Sequence, residues 1–384
     1  MIRRTIAVLV VVASTAPAGM LFAQERIGVR SAVLFESYSF DAGLPFTKVS
    51  QLTIPIGIDV DFGRLGKLTI STGFVSTNLT SADRTQIVLA DQTISSTLDT
   101  EFRFNYNLVP GKLILIANGA LPTGTGAVVQ QELSLLGAIS SDVIGFSSSD
   151  IGSGGEVGGG FAAAFPVGRF AIGVGGTFTQ PISYTPVTGD PDKLSPGSEF
   201  RLRTGFEGPL TRTTYIRFAG IFAARAKDEV GSQTQNGVGG RFIGYLSLNH
   251  GIGSHSITVY GFDVFRSGPR IEPTAVGAAV LPRGNLYAVG GRVDLAFSAF
   301  SRKFHLIPRF EVRRSFQALD ANTTDLERTG SSVRFGSNLL MNVSRSTVLV
   351  LEVSGITGSV VLPAVPDDIH FDGYRTGVRL EWRP

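Results

Sequence analysis

The residues of this chain with the means to do chemistry are arginines and carboxylates set two apart. Asp59 and Asp61, Asp99 and Glu101, Arg201 and Arg203, and the trio Arg309, Glu311 and Arg313 repeat that spacing. Arg217, Arg225, Arg241, Arg292, Arg334 and Arg379 lie in further alternating stretches. Side chains two apart share one face of a strand, so each group is a short line of fixed charge. Such lines attract, orient or repel dissolved ions and break no bonds. Groups that would break bonds are absent or scattered. The sequence has no cysteine, which removes disulfides, thiolate metal ligands and thiol nucleophiles together. The histidines, at 250, 255, 305 and 370, form no metal pair at helical spacing. Neither a Gly-Lys-Ser phosphate loop nor a nucleophile elbow occurs. The glycine-rich stretch 152–160 leads from a loop into a strand, where close backbone approach explains it better than a nucleotide does. The residues predict no enzyme, no cofactor and no bound metal.

Composition says what must hold those charges. The chain has 384 residues, 47 of them Gly, and only 17% are charged, against roughly one quarter in a soluble domain. A hydrophobic share of 43% excludes a disordered chain, and mean hydropathy is positive. The net charge of +3 is too small to suggest a nucleic-acid partner. Residues 1–24 place Arg3 and Arg4 before an apolar stretch and end on the small-residue approach to Ala23, the layout of a secretory signal peptide. Cleavage after Ala23 is expected, leaving 24–384 as one exported domain. That domain contains no run of the ~18 apolar residues a spanning helix needs, so if it crosses a membrane it must do so as a closed barrel.

The period is two almost throughout. Leu52, Ile54, Ile56, Ile58 and Val60 share one face, and Thr53, Pro55, Gly57, Asp59 and Asp61 the other. The same split separates Phe102, Phe104 and Tyr106 from Glu101, Arg103 and Asn105, and Phe200, Leu202 and Phe206 from Glu199, Arg201 and Arg203. Strands are expected at 26–38, 48–62, 66–77, 93–107, 111–120, 156–165, 168–180 and 198–208. A further eight follow at 212–226, 238–249, 255–266, 284–297, 302–315, 330–342, 346–356 and 371–382. Short Gly-, Pro- and Ser-rich links alternate with long ones, a rhythm that a soluble sandwich has no reason to keep. The fold expected is an all-β, antiparallel, up-and-down transmembrane β-barrel of about sixteen strands, within a range of 14 to 18.

In the last strand Tyr374, Val378, Leu380 and Trp382 face one way and Arg375, Gly377, Arg379 and Glu381 the other. Arg375, Gly377, Leu380 and Trp382 resemble the C-terminal signal read by barrel-assembly machinery, from which the chain departs in its trailing Arg383-Pro384. With the strand rhythm, this gives a resemblance to bacterial outer-membrane porins and related channel proteins over the whole mature chain. The resemblance implies a location in the outer membrane of a bacterium with two membranes. It also implies contact with membrane lipid and with the barrel-assembly machinery, and passage of small solutes. Gly159, Ala163, Gly176 and Gly220 would offer a flat surface for a homotrimer. Phe62, Tyr106, Phe170, Phe178, Phe297, Tyr374 and Trp382 are candidates for interfacial girdles.

Sixteen strands leave a lumen that side chains alone do not fill. Asp59, Asp61, Asp99, Glu101, Arg201, Arg203, Arg217, Arg292, Arg309, Arg313, Arg334 and Arg379 are the residues expected to line it and to set selectivity, with an arginine excess favouring anions. The longest link, 121–155, stands where the third outer loop of general porins folds inward, without the Pro-Glu-Phe-Gly-Gly type of motif found there. Val129, Leu133, Leu136, Ile139 and Val143 recur at helical spacing, so an amphipathic helix capped by Thr125 is expected. Val129, Glu132, Leu133, Leu136 and Asp142 are its constriction candidates, and an external lid is the alternative position. The leading function is passive diffusion of small polar or anionic solutes. The alternatives are a gated transporter for hydrophobic compounds and a closed structural or adhesive barrel.

Overall fold

The computed structural model describes residues 26–82, 91–129, 132–148, 152, 154–231, 233–234, 240–267, 270–274, 277–281, 283–299, 302–318, 325–361 and 367–383. The expected signal peptide, 1–23, lies outside the described residues. In chain order the wall strands are β1 (Arg26–Phe40), β2 (Phe46–Asp61), β3 (Gly66–Ser81), β4 (two arms, Gln92–Thr97 and Thr100–Val109), β5 (Leu113–Leu121) and β6 (Glu156–Val167). They continue with β7 (Phe170–Pro181), β8 (Glu199–Pro209), β9 (Thr214–Arg225), β10 (Arg241–Ile252) and β11 (His255–Arg266). The wall ends with β12 (Gly284–Ala299), β13 (Arg302–Gln317), β14 (Glu327–Asn342), β15 (Thr347–Val360) and β16 (Ile369–Trp382).

Both arms of β4 lie along β3, Thr97 opposite Phe74 and Glu101 opposite Ser71, so the seventeen strand segments of this sheet make sixteen staves. Each stave is antiparallel to the next, and β16 returns to β1, with Val29 opposite Trp382 and Phe40 opposite Phe371. Closure leaves no strand edge exposed to lipid. The expected sixteen-stranded antiparallel barrel is the fold observed, with β11 at the expected 255–266 and the other boundaries within a few residues.

Alternation decides which way each residue points. Even-numbered positions of β8 and β10 and odd-numbered positions of β6 and β14 carry the exposed apolar side chains, among them Val157 at 57% and Phe335 at 59% exposure. Apolar groups this accessible around a closed wall form a lipid-facing surface. Tyr106, Phe178, Phe297, Tyr374 and Trp382 of the expected girdles are exposed on it. Among the described residues six short turns lie at the rim that also holds both ends of the described chain. The tightest, Gly168-Arg169 and Gly253-Ser254, each begin with a glycine at φ near +60°, a conformation that other residues adopt at a cost. The longer connections lie at the opposite rim.

At that loop-bearing rim the polarity of β1 to β4 changes face. Lower down the outer positions are apolar, as in Ile27, Val29, Val33 and Phe35 of β1. Higher up the outer positions are Ser39, Lys48, Ser50, Ser76, Asn78 and Thr93, while Tyr38, Phe40, Val49, Val75, Leu79 and Ile94 point inward and are buried. Outer hydroxyls pair across strands there, Ser76 with Ser95 at 2.8 Å and Thr93 with Asn78 at 2.8 Å. This part of the wall therefore stands in water outside and is apolar inside. What covers the inside is the 121–155 segment. Its helix α1 (Leu133–Ile139) buries Leu135 and Ile139 completely, in one apolar cluster with Val128, Val143, Ile144, Phe146 and those inward wall residues.

The helix differs from the one expected. It is only seven residues long and Thr125 does not cap it. The Thr125 amide and hydroxyl both bond the Ser96 hydroxyl, at 2.8 and 2.7 Å, which ties that residue to β4 before the helix begins. Val129 is 45% exposed and off the apolar stripe, its amide donating to the Glu132 carboxylate at 3.0 Å. Leu136 packs at the edge of the cluster, and the side chain of Leu133 lies outside the described residues.

Candidate functional site

The segment that follows α1 crosses the inner wall and is bonded to it strand by strand. Glu36, on β1, accepts the Ser147 amide at 2.7 Å, and Gln51, on β2, exchanges two bonds with Ser148, both 3.0 Å. From the other side Arg266 of β11 reaches the Asp142 carboxylate at 2.6 Å, and Arg313 of β13 reaches the Asp142 carbonyl at 3.1 Å. On β14 the Ser332 hydroxyl donates to the Val143 carbonyl at 2.8 Å and Arg334 to the Ile144 carbonyl at 2.6 Å. Arg375 of β16 donates to the Gly145 carbonyl at 2.8 Å. Residues 142–148 thus present a row of carbonyls to a row of guanidinium groups. Tyr38 adds an edge-on contact with Phe146, ring centres 4.8 Å apart.

Charge balance holds this wall together. Glu36 takes two bonds from Arg375, at 3.0 and 2.7 Å, and one from the Tyr38 hydroxyl at 2.6 Å. Its side chain is only 1% exposed. Arg313 is paired with Glu311 at 2.6 Å, and Tyr260 donates to the other oxygen of Glu311 at 2.8 Å. Arg309 is paired with Glu352 at 2.6 Å. A buried ion left without its partner costs several kcal/mol, so Glu36 and Glu311 are what allow Arg375 and Arg313 to lie under the loop.

The opposite wall is built differently. The inward positions of β6 and β7 include Gly158, Gly160, Ala162, Ala164, Gly173 and Gly175, which leave the wall smooth. Charges flank it. Glu101 and Arg103 on β4 are exposed inside the barrel. On β8 and β9, Arg201 is bonded to Glu199 and Arg217 to Glu207, the latter at 2.7 Å. Arg203 has Arg103 and Arg201 as its charged neighbours, and its Nε has no hydrogen-bond partner.

The remaining lumen candidates divide by position. Arg292 and Arg379 point inward and are exposed. Asp59 accepts from Thr69 at 2.8 Å and Lys67 at 3.2 Å, and Asp61 from the Gly63 amide at 2.8 Å, both near the short-turn rim. Asp99 sits at the break in β4 and accepts the Gly124 amide at 2.9 Å. Of the C-terminal residues, Arg375 serves the loop, Gly377 lies against Leu34, and Leu380 and Trp382 face outward. Sequence reasoning missed Glu36, Tyr38, Gln51, Arg266 and Ser332, because none of them belongs to the lines of paired charge two residues apart from which most lumen candidates were drawn.

Among the histidines, His305 is 2.8 Å from Asp294 inside the lumen, and His250 is 2.9 Å from Thr214. Among the described residues no three His, Asp or Glu are grouped so as to hold a metal ion.

No protein-family model matches the chain, and no curated protein matches it. Solved structures do. A bacterial polysaccharide outer membrane secretin superposes over 94% of this chain and 100% of its own at 7% identity, with a TM-score of 0.50. The outer membrane protein OprD from Pseudomonas aeruginosa covers 93% of this chain and 94% of its own at 9% identity and a TM-score of 0.44. OpdL of Pseudomonas aeruginosa covers 94% and 99% at 11% identity and a TM-score of 0.47. Identities this low speak to the fold alone. The chain is a closed sixteen-stranded antiparallel β-barrel.

Proposed function

We propose that this protein is an outer-membrane channel through which small polar or anionic solutes diffuse passively, narrowed on one side by the 121–155 loop. The observation that carries the reading is that inward charged side chains of a closed wall remain exposed to solvent. Glu101, Arg103, Arg292 and Arg379 are the examples, and Arg217 keeps 58% side-chain exposure even while paired with Glu207. Charges stay accessible inside a barrel only where water fills it.

The path favoured by the geometry runs along β6 to β9. There the glycine and alanine wall leaves width, and Arg103, Arg201 and Arg203 give a positive potential partly offset by Glu101, Glu156 and Glu199. Arginines on the loop-bearing wall are occupied by carbonyls and carboxylates and add less. The selectivity is therefore a weak anion preference. Reversal potentials across a planar bilayer under a salt gradient test it, and a cation-selective channel would overturn it. Swelling of liposomes in small sugars tests diffusion itself; liposomes that exclude the sugars would point instead to a closed barrel.

A further inference from the structure

Charged residues on the outer face of the wall are rare, and two of them share one cross-strand row. Asp263 of β11 lies directly opposite Tyr287 of β12, and Tyr287 directly opposite Arg314 of β13. All three point away from the lumen, since Tyr260, Phe262 and Arg266, and Glu311 and Arg313, occupy the inward positions of the same strands. The row lies three residues from the loop-bearing ends of its strands. Asp263 and Arg314 are two strand spacings apart, about 10 Å, which is too far for an ion pair.

Among the described residues each end of the row lacks a partner. Arg314 is exposed and makes no ion pair among the described residues. Oδ1 of Asp263 is buried without a hydrogen-bond partner. One row nearer the rim, Oδ1 of Asn285 is also buried and unpartnered, between Phe265 and Phe316, and the Arg283 guanidinium lies 5.8 Å from the Phe265 ring centre. Buried acceptors without a partner call for donors and outward guanidiniums attract anions, both here on a lipid-facing surface near its rim. Gly244 of β10 continues the row beside Asp263 and Gly261 lies one step below it; neither carries a side chain on the outer face, which leaves a shallow trough in the apolar wall.

The geometry points to a binding site for a phosphorylated glycolipid on the outer face of β11 to β13. Arg314 and Arg283 hold its phosphates, Asp263 and Asn285 accept from its sugar hydroxyls, and an acyl chain lies over Gly244 and Gly261. A second copy of the chain could bring hydrophobic contact to this face, but the two orphaned acceptors and two guanidiniums match a headgroup that carries both phosphate and hydroxyl.

Native mass spectrometry of the full chain in mild detergent tests the site. The probes are a bis-phosphorylated acylated disaccharide and the same lipid without its phosphates, and a compact heat-modifiable gel band reports folding. The wild type should retain the phosphorylated lipid about tenfold better, and R283E/R314E should abolish that preference. D263A should weaken both lipids alike. R302E, on the outer face at the other rim, should change neither. If R283E/R314E does not fold, R314Q takes its place and should lower the preference. Equal retention of the two lipids by the wild type, undiminished retention by the arginine variants, or self-association that shields Cys in D263C from labelling would overturn the site. None of these readouts depends on conductance, so they stand apart from the channel reading.

Discussion

Arg375 and Glu36 meet where the last strand of the barrel closes on the first, at 2.7 Å and with Glu36 only 1% exposed. The same two residues also hold the loop, Arg375 through the Gly145 carbonyl at 2.8 Å and Glu36 through the Ser147 amide at 2.7 Å. Barrel closure and loop position thus share one ion pair. Replacing Glu36 by Ala strands Arg375 in the wall and should cost about 3–5 kcal/mol. The temperature of the gel-mobility transition reports that loss. In the paired variant E36L/R375M most of the stability should return, while exchange protection of 142–148 should not.

Gly145 is seated directly against the wall arginines. Its φ is +64°, and a Cβ there would run into Nη1 of Arg313. Gly145→Val therefore combines backbone strain of about 1–3 kcal/mol with a clash against a charged group that is itself fixed by Glu311. Faster hydrogen exchange at 142–148 with an unchanged barrel melting profile is the expected result.

Packing holds the helix in place. Leu135 and Ile139 are both fully buried against the inward face of the early strands. Truncating either to Ala should weaken docking by about 2–5 kcal/mol, the range for large-to-small core changes. Limited proteolysis of the folded barrel should then cut within 121–155 while leaving the wall intact.

Along β6, Ala162 faces the lumen and Ala163 faces lipid. Ala162→Trp should lower conductance, roughly by half where the smooth wall is the path, and Ala163→Trp should leave it unchanged. Equal effects from both would place the path elsewhere.

Most of the barrel could be read from the chain because period-two alternation survives wherever one face meets lipid and the other meets water. Leu52 to Val60 and Phe200 to Phe206 are of this kind. The loop dock could not be read that way. In β3 the apolar set passes from the outer face at Phe74 to the inner face at Val75 and Leu79, with Ser76 and Asn78 now outside. That change of phase marks a strand leaving the bilayer with its inner face covered, and it is present in the residues themselves. The roles of Arg313, Arg334 and Arg375 were hidden for another reason. An arginine aimed at water and one aimed at a backbone carbonyl occupy the same position in an alternating pattern, and only the return of 142–148 to the wall separates them.

Single-channel recording in planar bilayers bears most directly on a water-filled lumen narrowed from one side. The intact chain should give discrete, stable conductance steps, and a variant lacking 128–144 should give larger ones. Silent bilayers with both forms would contradict an open lumen, and equal steps from the two would contradict the narrowing.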